Sequence, residues 1–270
     1  MIGLVCSTLS CDGFLDRRFE TSIAILPDIG YRYVELNCWH PSDLMPARIR
    51  EAKRRFADAG VQPIAVYGSA FGAAAPFEIS KDVCHKLRMI DAALELGCSR
   101  VVATGARRGE AGGLNAILRA LEQIVPYAEQ NGALIALENH ANNNIESIED
   151  YRTVFEEIPS DNLGACLDTG HFDASGIDPL EVVEALHTKV NHIHVKEALA
   201  KGVETFVRFG EGVTDNDAVI RAMIGKGYRG YISVELGIAD KTNVVHDVRV
   251  PYERFRIYET AGSSWGEGVR

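Results

Sequence analysis

Apolar runs of about five residues, rich in Val, Ile, Leu and Ala, alternate along the chain with longer stretches whose apolar residues recur at helical spacing. The runs predict strands at 2–7, 33–36, 62–67, 100–104, 134–138, 163–168, 191–195 and 231–235. Helical patterns cover 17–29, 46–59, 81–96, 114–130, 148–158, a segment opening at Asp178-Pro179, 214–225 and 248–259. Gly30, Gly60, Gly97 and Asn131-Gly132 read as helix stops. Ser147 with Asp150, and Thr214 with Asp217, have capping-box spacing. Asp178 before Pro179 reads as a helix start, and Pro251 is expected in the first turn of the last helix.

Eight strand–helix units within about 260 residues is the count of a (β/α)8 TIM barrel. No linker or composition shift divides residues 1–260, so they form one expected domain, followed by a small polar tail, 261–270, expected to be loose. The alternative is an open doubly wound sheet. It lacks support because no Gly-rich nucleotide turn follows the first strand. Gly105–Gly113 is Gly-rich but has no Gly-Lys-Ser/Thr ending, so it is not read as a nucleotide loop; Arg107 or Arg108 there could meet an anionic substrate.

A barrel gathers the C-terminal ends of its strands at one mouth. That rule brings together Glu35, Tyr67, Thr104, Glu138, Asp168, His194 and Glu235. Taken singly, a carboxylate at a strand end is usually salt-bridged or solvated, and a lone His is usually a core residue. Four such residues on the fifth to eighth strands read differently. Three carboxylates crowded around one axis repel unless a cation joins them. An oxygen-rich set with one nitrogen suits one divalent ion, Mn²⁺ or Mg²⁺, with Co²⁺ next and Zn²⁺ less favoured. Such an ion, with two positions free for sugar oxygens, would polarise a carbonyl.

The formal net charge of −10 argues against nucleic acid as a partner. No apolar run approaches the roughly 20 residues that span a bilayer, so a membrane is not expected either. The first residues read as a strand without a basic leader, and six scattered cysteines without a CxxC pair read as free thiols. Both point to a cytoplasmic protein.

The chain resembles the xylose-isomerase-like TIM-barrel superfamily of sugar-phosphate isomerases and epimerases, related to ketose 3-epimerases. The likeness covers nearly the whole chain. It is carried by Leu137-Glu138-Asn139-His140, Leu167-Asp168-Thr169-Gly170-His171, His192-Ile193-His194-Val195-Lys196, Gly210-Glu211-Gly212 and Val234-Glu235. The resemblance implies that Glu138, Asp168, His194 and Glu235 ligate the metal. It also implies that Glu138 and Glu235 move the proton beside a carbonyl, through an enediolate. His171 is similar to a family histidine that contacts the polarised substrate oxygen, the alternative being a loop cap. Arg208 stands where the family often has a substrate-contacting Arg, the alternative being a solvated loop residue. Lys196 shares a strand face with His194. It either reaches substrate or pairs with Glu197 or Asp168. His140, like Glu35, is a weaker candidate to touch substrate. The expected partner is a small sugar or polyol, phosphorylated or not, and a homo-oligomer is compatible.

The resemblance leaves other outcomes open. A lyase dehydrating a keto-sugar or inosose would begin with the same proton abstraction. An apurinic endonuclease shares the barrel but is disfavoured. The extra histidines of that family are absent around Tyr67, Thr104 and Glu204-Thr205-Phe206. A non-catalytic metal-binding subunit would not need the full ligand set with His171 beside it. Asn142-Asn143-Asn144 stands where free-ketose 3-epimerases usually carry a second glutamate, which separates the chain from that branch.

Overall fold

The computed structural model describes residues 2–14, 16–72, 75–110, 112–237 and 240–260; the expected tail lies outside them. The alternation folds as expected. Strands β1 (Ile2–Ser7), β2 (Tyr33–Cys38), β3 (Gln62–Gly68), β4 (Arg100–Thr104), β5 (Leu134–Glu138), β6 (Leu163–Asp168), β7 (Val190–Val195) and β10 (Gly230–Val234) close into a barrel. Every barrel pairing is parallel. The gap in numbering is a two-stranded antiparallel hairpin after β7, formed by β8 (Ala198–Ala200) and β9 (Val203–Phe206). The chain is thus a (β/α)8 TIM barrel.

The helices are α1 (Thr8–Asp12), α2 (Glu20–Ile29), α3 (Pro46–Asp58), α4 (Pro76–Leu96), α5 (Gly113–Asn131), α6 (Ile148–Glu157), α7 (Thr169–Ala174), α8 (Pro179–Leu186), α9 (Asn216–Gly225) and α10 (Val244–Phe255). Glycines in the left-handed region stop α2, α4 and α5, at Gly30, Gly97 and Gly132. The Ser147–Asp150 capping box forms at α6. Two expectations are corrected. The cap of α9 is Asp215 rather than Thr214, whose hydroxyl instead accepts from the Ala198 N–H at 3.1 Å. Pro251 lies inside α10, which starts four residues earlier than the pattern suggested. Short α1 and α7 were not expected; five or six residues are too few to show a helical period.

The main core lies between sheet and helices, with residues such as Leu36, Val66, Ile135, Leu167, Ile193 and Val234 facing outward. The barrel interior is a second, separate cluster of Val5, Ile64, Ala65, Tyr67, Val102, Ala136 and Cys166. Successive strand side chains point to opposite faces, so Glu138, Asp168, His192 and His194 share the interior with this cluster. Among the described residues no helix is long and apolar enough to cross a membrane. All six cysteines are free, with Cys84 exposed.

Candidate metal centre

Glu138 ends β5, Asp168 ends β6, His194 lies on β7 and Glu235 follows β10, all at the same end of the barrel. All four are buried, and one ligand atom from each lies within 4.8 Å of the others. His194 Nδ1 stands 2.5 Å from Glu138 Oε1, 2.6 Å from Glu235 Oε2 and 4.0 Å from Asp168 Oδ2. Asp168 Oδ2 and Glu235 Oε2 have charge contacts only, the first to Lys196 and His194 and the second to His194. Buried carboxylate oxygens aimed at one point, with one imidazole nitrogen, are a donor set that fits a divalent cation.

The local sequence explains the geometry. In Glu138-Asn139-His140, the Asn139 amide clamps β5 to β6: it accepts from the Asp168 N–H at 2.9 Å and donates to the Asp168 carbonyl at 3.0 Å. In Asp168-Thr169-Gly170-His171, Asp168 Oδ1 caps α7 by accepting the His171 N–H at 2.8 Å, which leaves Oδ2 for the cluster. The Thr169 hydroxyl accepts from the Lys196 N–H at 3.1 Å and donates to Asn216 Oδ1 at 2.6 Å. A Cβ at Gly170 would lie 2.8 Å from Lys196 Cβ, so only glycine lets α7 pass β7 this closely. Gly212 is constrained in the same way, 2.2 Å from the Ala198 carbonyl oxygen, so the Gly-Glu-Gly stretch shapes the hairpin rather than a ligand cradle.

The electrostatics follow from burial opposed by charge. Burial alone would discharge His194; Cys166, Glu35, Glu138 and Glu235 reverse this and raise the ring well above its usual value. Burial pushes Asp168 up to about 6, with the other carboxylates adding to it and Lys196 opposing. Glu138 is held well below the carboxylate range, because His194 and His140 outweigh its burial. Burial, then Lys196 and His140, keep His171 neutral. A proton on His194 Nδ1 and a metal ion are therefore alternative occupants of one point.

The structure distributes the remaining candidates unevenly. Lys196 Nζ lies 3.1 Å from both Asp168 Oδ2 and Glu235 Oε1; it does not pair with Glu197, which accepts from the Gly210 N–H. His140 Nε2 lies 3.1 Å from Glu138 Oε2, and its ring stacks on His171 at 3.7 Å. His171 Nδ1 accepts from the Ala141 N–H at 3.3 Å, which leaves its proton on Nε2. Arg208 is drawn elsewhere, to Asp247 and Asp240 at 2.9 Å each. Arg108 is held by Glu146 and Asp150. Asn142, Asn143 and Asn144 tie loops together through Glu204, the Gly105 carbonyl and the Arg107 carbonyl.

Two contributors had no role assigned from sequence, although Tyr67 was expected at the mouth. Tyr67 donates its hydroxyl to Glu138 Oε2, and its ring meets Trp39 at 5.4 Å. Position at a strand end was the only available signal. Phe206, on β9, meets His171 at 4.5 Å and Lys196 Nζ at 5.0 Å. Its strand is too short to stand out.

Residues 23–251 match the family model described as xylose isomerase-like TIM barrel. An inosose dehydratase of Geobacillus thermodenitrificans is 26% identical over 137 residues, 44% of this chain and 45% of that protein. The match thus spans less than half the length of that relative. Two solved structures share the fold. The IOLI protein, crystallised with a binding zinc atom, has a TM-score of 0.77 at 20% identity, covering 96% of this chain and 100% of that one. A D-tagatose 3-epimerase-like protein has a TM-score of 0.76 at 22% identity, covering 94% and 97%. With the family match covering most of the barrel, the chain belongs to the xylose isomerase-like TIM barrel family.

Proposed function

We propose that this chain is a divalent-metal-dependent enzyme that moves a proton next to the carbonyl of a sugar or sugar-like polyol, as an isomerase or epimerase working through an enediolate. The observation that carries the reading is the convergence of Glu138, Asp168, His194 and Glu235 on one buried point. They would hold the ion, and Mn²⁺ or Mg²⁺ suits their oxygen-rich set, with Co²⁺ and Zn²⁺ as competitors. When bound, the ion supplies Lewis-acid stabilisation of developing negative charge on the substrate oxygens.

The chain's residues do the rest. Glu138 and Glu235 each keep one oxygen outside the ligand cluster, Oε2 and Oε1, and these take and return the proton. His171 donates from Nε2 to the substrate oxygen, while His140 and Phe206 wall its ring. Lys196 orients Glu235. Arg208 shapes the loop through Asp240 and Asp247 rather than gripping substrate. Lys196, Arg208 and Arg108 are all engaged by carboxylates, so none of these three is free to grip a phosphate. We place the protein in the cytoplasm.

A second reading, dehydration of an inosose or keto-sugar on the same site, is favoured by the inosose dehydratase relative. One experiment separates the two. The metal-loaded protein is incubated in D₂O with ketoses, ketose phosphates and inososes, and followed by NMR. A new stereoisomer or ketose–aldose exchange carrying deuterium is expected. Loss of water would favour the lyase. No exchange with any compound would overturn the proton-transfer reading.

A further inference from the structure

One buried acid lies beneath the ligand cluster and belongs to none of the roles above. Glu35 is on β2, fully buried, with no lysine or arginine as partner among the described residues. Its close partners are two imidazoles of β7, with the Ser233 hydroxyl of β10 donating to Oε1 at a longer 3.5 Å. His192 Nε2 is 2.8 Å from Oε2; His194 Nε2 is 3.1 Å from Oε2 and 3.0 Å from Oε1. A buried carboxylate persists only where donors satisfy it. Both rings serve Glu35 by carrying a proton on Nε2. For His194 that leaves the Nδ1 lone pair for the cluster, where Nδ1 already faces Glu138 and Glu235.

The sheet is shaped for this contact. The β2–β3 register steps between Val34 and Glu35, where Val34 pairs Pro63 but Glu35 pairs Ala65. The β6–β7 register steps between Ala165 and Cys166, where Ala165 pairs Val190 but Cys166 pairs His192. Each step inserts one extra residue, Ile64 or Asn191, at the level of Glu35 and His192. Bulges of this kind re-aim side chains beside active sites. His192 Nδ1 is buried without a hydrogen-bond partner, so the hydrogen bonding of this ring is directed to Glu35. Cys166, His192 and His194 also form a potential ligand group, but His194 already offers Nδ1 to the carboxylates.

We infer that Glu35 is a positioning residue: it locks His194 in the Nε2–H tautomer so that Nδ1 meets the divalent ion, and His192 anchors Glu35 from below. The inference rests on the metal reading proposed above. A ligating histidine tied through its second nitrogen to a carboxylate is oriented and made more basic, and losing such a partner typically weakens metal binding by about 10–100-fold.

The test uses the full chain. Zn²⁺ serves as a diamagnetic probe for ¹⁵N-histidine NMR, and Mn²⁺ and Zn²⁺ affinities are measured by calorimetry. In the wild type, His194 is expected as the Nε2–H tautomer with Nδ1 coordinated. Glu35→Gln is expected to lose about 10–100-fold in affinity for both ions, with Glu35→Asp recovering part of it. An Nδ1–H tautomer in the metal-loaded wild type would overturn the inference, whether or not the variants fold. So would unchanged affinity in a folded Glu35→Gln protein. If the wild type binds neither ion, the metal reading itself fails, a different and recognisable result.

Discussion

Glu138 and Glu235 reach the same point from strands separated by β6 and β7, yet their outer oxygens are held in opposite ways. Glu138 Oε2 is gripped by the Tyr67 hydroxyl and His140, whose side chain is 24% exposed. Glu235 Oε1 is gripped by Lys196, which is buried. One glutamate therefore borders a buried hydroxyl and a partly exposed imidazole; the other borders a buried, fixed cation. Two glutamates proposed for the same ligand and acid/base roles need not be equivalent. His140 puts a partly exposed group beside Glu138, whereas Lys196 beside Glu235 is buried.

Substitutions at these residues separate the two glutamates. Glu138→Gln and Glu235→Gln should have the largest effect, each lowering kcat by about 10²–10⁴-fold as for other acid/base groups and weakening metal binding. Steady-state kinetics with metal titration checks this, and near-wild-type turnover in either would remove that glutamate from the site. Lys196→Met comes next. It should lower kcat by about 10²-fold, the low end for a group serving proton transfer, yet tighten metal binding, because a cation beside Asp168 and Glu235 is gone. Weaker metal binding in a folded variant would show that Lys196 supports the ligands rather than competes with the ion. Tyr67→Phe removes one hydrogen bond to an anion, worth about 1.5–3 kcal/mol. A kcat loss of roughly tenfold or more is expected, together with a change in solvent deuterium wash-in that Lys196→Met does not share.

The pH dependence follows from His194, whose charged form is favoured well above its ordinary 6.5. Its folded value is raised, so in metal-free protein the ring contributes stability below pH 6.5 that is lost as pH rises through the folded value. A metal ion needs the neutral ring. Affinity should therefore rise with pH, by about tenfold per unit for one released proton, until the raised value is passed. Calorimetry in two buffers of different ionisation enthalpy counts that proton; zero release would contradict the picture. The smallest effect belongs to Arg208→Lys. Its partners lie outside the cluster and it is partly exposed, so kcat/KM should change by only a few fold, as solvent-screened ion pairs contribute little.

The repeat of strand and helix was legible because each unit carries its own period, and barrel closure then follows from the count. The four clustered side chains were legible because each stands at the end of an apolar run. What the order of residues did not disclose was pairing across the barrel. Glu35 lies 159 positions from His194, and its contact depends on two register steps that leave no mark in the alternation. Lys196 had candidate partners in Glu197 and Asp168; the choice of Asp168 with Glu235 was settled by which strand face it shares. Phe206 was hidden because a four-residue strand has no readable period.

The most direct test of the account is anomalous diffraction from crystals grown with Mn²⁺. One peak is expected, bounded by Glu138 Oε1, Asp168 Oδ2, His194 Nδ1 and Glu235 Oε2, with His194 Nε2 still directed at Glu35. A peak elsewhere, or none among these four side chains at saturating ion, would contradict it.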